Sequence, residues 1–245
     1  MYLTYLKKMT INKKSKSYIL LRKIFYFFKN LITRNTNLNK FSPISKTFGL
    51  ERGEAIDRYY ILKFLKNNSN FISGTVLEFG DDRYSTYFNC KKIDVISIDK
   101  STSKLVKKNT RVFIKDITKE KLEPNYYDTI IATQVIQFIY DIEQLKKNLH
   151  FSIKKDGYLI LTCSFFSPLS NYDIERWGEF WRPTENSIKR IFDENFTMIN
   201  SQCFGNLFAV KKFLDGISAD EIKKKDLDHL DKSFPIIHAF IFKKK

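Results

Sequence analysis

Two apolar runs constrain this chain more than anything else in it. Thr75–Val76–Leu77–Glu78–Phe79–Gly80 is a β-type run that ends in an acid and a glycine. Ile93–Asp94–Val95–Ile96–Ser97–Ile98 ends in the carboxylate of Asp99. Asp99 follows Gly80 by about twenty positions, the spacing at which an acid ending a second strand accepts hydrogen bonds from ribose hydroxyls. A doubly wound α/β sheet puts such a glycine turn and such a carboxylate on adjacent strand ends, at a crevice for a nucleoside-bearing ligand. A dinucleotide would need further glycines to let the backbone approach a pyrophosphate. Here Asp81–Asp82–Arg83–Tyr84 follows Gly80 and adds negative charge. The pattern fits a ligand that carries ribose but no phosphate.

The rest of the chain supports a parallel sheet. The apolar spacing predicts a helix over 54–66, with Ile56, Tyr60, Leu62 and Phe64 on its apolar surface and Asn67–Asn68–Ser69–Asn70 ending it. Strands are predicted over 75–79, 93–98, 111–115, 127–133 and 157–163, and an amphipathic helix over 141–152, where Ile142, Leu145 and Leu149 share a face. A turn at Lys155–Asp156–Gly157 leads into a run apolar enough for a strand buried on both sides. Two late strands, 196–203 and 235–242, flank a helical insert over 207–225, and the last strand can enter the sheet as a hairpin partner. Alternating β and α units with this ending predict an α/β, Rossmann-like, mostly parallel seven-stranded sheet with helices on both faces.

Successive strand ends then supply candidate cofactor-binding residues: Glu78 and Gly80 after the first, Asp99 after the second, Asp116 after the third, and Thr133 and Gln134 after the fourth. Asp99 suits ribose hydroxyls, Asp116 an adenine amino group, and Thr133–Gln134 an amino-acid moiety. An acid after a strand is commonly only a turn residue or helix cap. Four in register on consecutive strands point to a crevice, and S-adenosylmethionine is the candidate cofactor.

Several longer strings carry a resemblance. Pro43–Ile44–Ser45–Lys46–Thr47–Phe48–Gly49, Arg52–Gly53, Ile56–Asp57–Arg58–Tyr59–Tyr60, Val76–Leu77–Glu78–Phe79–Gly80–Asp81, the run from Thr133 to Asp141 and the run from Tyr172 to Arg182 are among them. Gly205–Asn206 and Phe213–Leu214–Asp215–Gly216 complete the set. From Pro43 onward the chain resembles a bacterial class I S-adenosylmethionine-dependent methyltransferase family often found with glycosyltransferases in surface-polysaccharide loci. The resemblance implies an S-adenosylmethionine-dependent methyltransferase that O-methylates a glycan, glycolipid or related small acceptor in polysaccharide biosynthesis. Two departures stand out: the first loop keeps only Gly80, with Arg83 where small residues are usual, and Gln137 stands where many class I enzymes have a histidine.

The segment from Asn171 to Arg182 follows the fifth strand, where an acceptor wall belongs. Tyr172, Trp177 and Trp181 suit the apolar face of a sugar ring, and Arg182 suits its hydroxyls; a lid packed by its own aromatics is the alternative. A hydroxyl acceptor benefits from a general base, and Asp57, Asp173 and Glu175 are the candidates. Cys90, Cys163 and Cys203 show no CxxC spacing, and His150, His229 and His238 are far apart, so no metal ligand set is expected.

The formal net charge of +16 raises nucleic acid as a partner. Acids are interspersed with lysines through most of the chain, no Pro–Pro pair exists for an amino-methylating signature, and a nucleic-acid methyltransferase is therefore the weaker alternative. A non-catalytic module with the same fold is the other. Residues 1–40 lack Asp and Glu and read as a basic amphipathic leader, with Leu20, Ile24, Phe27, Phe28 and Leu31 on one stripe. Such a helix can rest on an anionic membrane. The methyltransferase domain is expected over 41–245, in a cytoplasmic protein that can sit peripherally at the inner membrane face.

Overall fold

The computed structural model describes residues 41–245 apart from 105, 108 and 109, so the predicted leader lies outside the described residues. Among the described residues seven strands form one sheet in the order β3-β2-β1-β4-β5-β7-β6. They are β1 (Thr75–Phe79), β2 (Lys92–Ser97), β3 (Arg111–Ile114), β4 (Tyr127–Thr133), β5 (Ile153–Ser164), β6 (Phe196–Phe204) and β7 (Ile237–Lys244). β1 to β5 pair in parallel, while β7 inserts antiparallel between β5 and β6. This is the mostly parallel seven-stranded sheet expected from the sequence.

The strands read as continuous apolar runs because both faces are covered. Val76, Ile131, Ile160 and Ile241 point into one core with helix α1 (Ile56–Asn67), whose Tyr60, Ile61, Phe64 and Leu65 are buried there. Their neighbours Leu77, Ile130, Leu159 and Phe240 point into the opposite core. There they meet Leu145 and Leu149 of α3 (Ile142–Ser152) and Ile188 and Phe192 of α5 (Glu185–Phe192). Two short helices, α2 (Arg83–Tyr87) and α4 (Asn171–Trp177), lie between these along the chain.

Two local expectations change. Lys155–Asp156–Gly157 is not a separate turn: β5 already begins at Ile153, opposite Tyr127, and the register resumes at Tyr158 opposite Thr129. The chain between them bulges, with Asp156 at φ 63°. The insert expected over 207–225 is two helices, α6 (Leu207–Leu214) and α7 (Lys224–Asp228). Gly216 divides them at φ 74°, where a Cβ would lie 2.4 Å from the Ser45 carbonyl oxygen. The entry segment passes against that glycine, and Ile44 N donates to the Asp215 carbonyl at 2.9 Å. Among the described residues no helix is long and apolar enough to cross a membrane.

Candidate active site

The carboxyl ends of β1 and β4 open into a cleft of about 660 Å³. The entry segment around Lys46–Phe48, the start of α1 and the chain from Ser167 to Asp173 close it. The floor begins at Gly80, whose φ of 85° disfavours side-chain-bearing residues and whose added Cβ would meet nothing within 4 Å. Gly80 N donates to the Ile96 carbonyl at 3.0 Å and holds this turn against β2. The glycine therefore leaves open space where a ligand can approach the backbone.

Glu78, expected at the cofactor, instead braces that loop. It is 1% exposed and accepts from Tyr84 N at 3.0 Å, Ser85 N at 2.8 Å and Ser85 Oγ at 2.6 Å. These donors form the first turn of α2, where a carboxylate satisfies amides that have no helical partner. Burial outweighs them and pushes the Glu78 carboxyl up to about 7. Asp82 does similar work at longer range, accepting from Lys107 N and Thr110 Oγ1, both at 2.9 Å.

Asp99 lies half-buried just past β2, its Oδ1 accepting from Ser101 N at 2.8 Å. That backbone bond leads the interactions holding its carboxyl below the ordinary range, and the charge of Arg176 from α4 adds to it. Asp116 is committed to its own turn. Oδ1 accepts from Thr118 N and Oγ1 at 3.0 and 2.7 Å, and Oδ2 pairs with Lys119 at 3.1 Å. Neither Asp99 nor Asp116 lines the cleft, although Asp99 follows β2, the strand that pairs with β1.

At the end of β4, Thr133 and Gln134 do line the cleft. Gln134 takes φ 56° because its backbone N turns back to the Thr162 carbonyl at 2.9 Å. Its Oε1 accepts from Gln137 Nε2 at 2.9 Å and Ser164 Oγ at 2.7 Å. Among the described residues, Gln134 Nε2 and Gln137 Oε1 are buried without a hydrogen-bond partner. A donor and an acceptor with no protein partner, on neighbouring side chains that line a cleft, are groups that a ligand or a water completes.

Of the proposed bases, Asp57 and Asp173 line the cleft, whereas Glu175 is exposed outside it. Asp57 stands in the first turn of α1, and Arg58 N donates to its Oδ1 at 2.8 Å. Burial raises its carboxyl above the ordinary range against the pull of Arg58 and Arg83.

Of the three predicted acceptor aromatics, Tyr172 lines the cleft and Trp177 and Trp181 do not. The Arg176 guanidinium lies 3.5 Å over its ring, and Trp177 meets it edge-on at 6.1 Å outside the cleft. Trp181, expected on the acceptor wall, is fixed elsewhere: its Nε1 donates to the Ile139 carbonyl at 3.0 Å and its ring stacks on Tyr140. Arg182 forms an ion pair with Glu179, which does line the cleft, while its Nη2 is buried without a hydrogen-bond partner among the described residues. Sequence reasoning missed Arg58, Tyr84, Gln137 and Glu179 as lining residues. Gln137 had a usable signal, an amide three positions beyond a strand-end amide; Glu179 had none.

No protein-family model matches the chain, and no curated protein does. Solved structures do. An S-adenosylmethionine dependent methyltransferase from Mesorhizobium loti superposes with TM-score 0.57 at 10% identity, over 77% of this chain and 99% of that one. A SAM dependent methyltransferase from Archaeoglobus fulgidus gives 0.53 at 13% identity, over 90% and 100%. The N-methyltransferase NodS from Bradyrhizobium japonicum WM9, solved in complex with S-adenosyl-L-homocysteine, gives 0.52 at 15% identity, over 78% and 89%. The chain therefore has the Rossmann-like fold of these methyltransferases.

Proposed function

We propose that this protein is an S-adenosylmethionine-dependent methyltransferase that O-methylates a glycan, glycolipid or related small acceptor. The observation that carries the cofactor is the pair of unpartnered buried amide atoms, Gln134 Nε2 and Gln137 Oε1, at the end of β4. A donor beside an acceptor suits the carboxylate and ammonium of a free amino-acid moiety, and the open Gly80 turn suits a nucleoside lying against backbone. Thr133 joins this wall, and Asp99 is the group for the ribose hydroxyls. Glu78 acts behind them, through the loop it braces.

When bound, the cofactor supplies an electron-poor methyl group on a sulfonium. The protein's part is alignment, exclusion of water and acceptance of a proton. Asp57 is the base we favour, because it lines the cleft and burial raises its carboxyl toward a working range; Asp173 is the second candidate. As the acceptor oxygen gains a methyl group, its proton passes to a carboxylate oxygen of Asp57. Tyr172 offers a ring face for an acceptor, with Asp173 and Glu179 as hydroxyl partners.

The charge of the cleft favours a small acceptor over nucleic acid. Lys46, Arg58 and Arg83 are set against Asp57, Asp81, Asp173 and Glu179, whereas a phosphate path needs excess positive charge. Calorimetry with S-adenosylmethionine and S-adenosylhomocysteine, followed by methyl transfer to bacterial surface glycans, tests the reading. Asp57→Asn should keep cofactor affinity and slow transfer by roughly 10²–10⁴-fold. Absence of cofactor binding at millimolar concentration defeats the enzyme reading and leaves a methyltransferase-fold binding module.

Residues 1–40 carry many basic side chains and no acid, and we propose them as a peripheral contact for anionic membranes. Co-sedimentation of full-length and leader-deleted protein with anionic vesicles should differ at low salt and converge at high salt. Equal partition of both forms removes this role.

A further inference from the structure

We propose that the antiparallel edge of the sheet holds a zinc ion on Glu185, Cys203 and His238. These residues lie far apart in sequence, with no spacing that marks a metal site. The fold gathers them. Cys203 and His238 stand directly opposite each other in the β6–β7 ladder, so their side chains share one face of the sheet. Glu185 is the first residue of α5 and reaches the same place.

Cys203 Sγ lies 3.1 Å from His238 Nδ1 and 3.6 Å from Glu185 Oε2, and the three ligand atoms all fall within 4.8 Å of one another. A tetrahedral zinc, with bonds of about 2.3 Å to sulfur and 2.0–2.2 Å to nitrogen and oxygen, spaces its ligand atoms by roughly 3.3–3.6 Å. Small side-chain adjustments therefore seat the ion. One thiolate, one imidazole and one carboxylate form a donor set that zinc accepts, and water can fill the fourth position.

The surroundings orient the ligands. Glu185 Oε1 accepts from Ser201 Oγ at 2.7 Å, the outer bond that fixes a ligating carboxylate. His238 is buried and its ring sits against Phe165 at 5.5 Å, while Cys203 and Glu185 are half-buried, leaving a path for the ion. Burial lowers His238, which keeps a nitrogen lone pair free near neutral pH; the Ser201 hydroxyl leads the interactions holding Glu185 low. Cys203 would release its proton to solvent on binding, from a thiol that burial pushes up to about 11. Lys232 is the cationic neighbour of Glu185 and Cys203, and Arg182 stands near the buried Cys163 on the adjoining strand.

The ion would clip α5 to the edge strand β6 and the inserted β7, so its first readout is stability. The full-length chain, reduced and metal-free, is titrated with Co²⁺ and then with Zn²⁺. One Co²⁺ per chain should bind with a near-ultraviolet thiolate-to-cobalt band that Zn²⁺ removes, and Zn²⁺ should raise the melting temperature. Cys203→Ser should abolish the band, and Glu185→Gln should weaken zinc affinity at least about tenfold, both with unchanged S-adenosylmethionine binding. That last readout separates this site from the cleft. Absence of the band, its survival in Cys203→Ser, its loss in Cys90→Ser instead, or a melting temperature indifferent to Zn²⁺ overturns the proposal.

Discussion

The strand ends around the cleft fall into two halves that use polar side chains in opposite ways. At the ends of β1 and β3 the carboxylates are consumed by their own loops: Glu78 by Tyr84 and Ser85, Asp116 by Thr118 and Lys119. At the end of β4 the amides are left incomplete, with Gln134 Nε2 and Gln137 Oε1 unpartnered. The first half builds the shape of the site, and the second keeps hydrogen-bonding capacity in reserve. A strand-end acid can thus serve the shape of a loop, whereas an unpaired buried amide that lines a cleft is a group that a ligand or a water completes.

Removing Glu78 should break the comparison most visibly. Glu78→Ala strands two backbone amides and a hydroxyl in a buried turn, costing roughly 3 kcal/mol or more. In a chain of this size that lowers the melting temperature by roughly 6–12 °C, read by circular dichroism. If the variant melts normally and only cofactor affinity falls, Glu78 belongs to the ligand-facing half. Titration sharpens the same point. The Glu78 carboxyl is raised to about 7 in the fold, above its ordinary value of 4.5. The folded state then holds the proton more tightly than the unfolded chain. Its stabilising share is complete below about pH 4.5 and disappears as pH rises through about 7, at most about 3 kcal/mol over that window. Glu78→Gln cannot titrate there. The stability of wild type relative to Glu78→Gln should therefore fall between pH 4.5 and 7 and level off above; a flat difference contradicts the burial argument.

A smaller effect, of opposite kind, is expected at β4. Gln137→Met removes an unpaired acceptor at nearly constant volume, while Ser164 Oγ still donates to Gln134 Oε1. The free protein should be as stable as wild type or slightly more so, because an unsatisfied buried group has gone. Affinity for S-adenosylmethionine should drop about tenfold, close to 1.4 kcal/mol. A stability loss with unchanged affinity would place Gln137 among the shaping residues.

The sequence made the sheet legible and the division of labour within the site much less so. β1 and β4 fall at the predicted bounds because their runs are buried on both faces, and the pattern needs no tertiary help. The break inside the helical insert after β6 is not legible in the sequence, since the close approach at Gly216 comes from Ser45, over 160 positions away in the chain. Trp181 looked like a sugar platform on composition, yet the partners that fix it, Ile139 and Tyr140, precede it by some forty residues. The unpaired amides were invisible for the same reason: whether Gln134 is satisfied depends on Ser164, at the end of the neighbouring β5.

The finest test separates two acids that look alike in sequence. Asp99 and Asp116 each follow a strand and each caps a turn, but they differ in what their oxygens hold. Asp116 has a hydroxyl, an amide and an ammonium around it, whereas Asp99 is bonded to Ser101 and follows β2, the strand beside β1 and Gly80. Asp99→Ala should weaken S-adenosylmethionine binding roughly fivefold, the net worth of one hydrogen bond that partly competes with water. Asp116→Ala should leave affinity within about twofold and show itself only as a loss of roughly 1 kcal/mol in stability, through the turn it caps. Calorimetry and thermal melts on the two variants decide the matter. Equal losses of affinity would extend the ligand-facing surface across β3. An indifferent Asp99 would confine it to β1 and β4, with the ribose held by backbone alone.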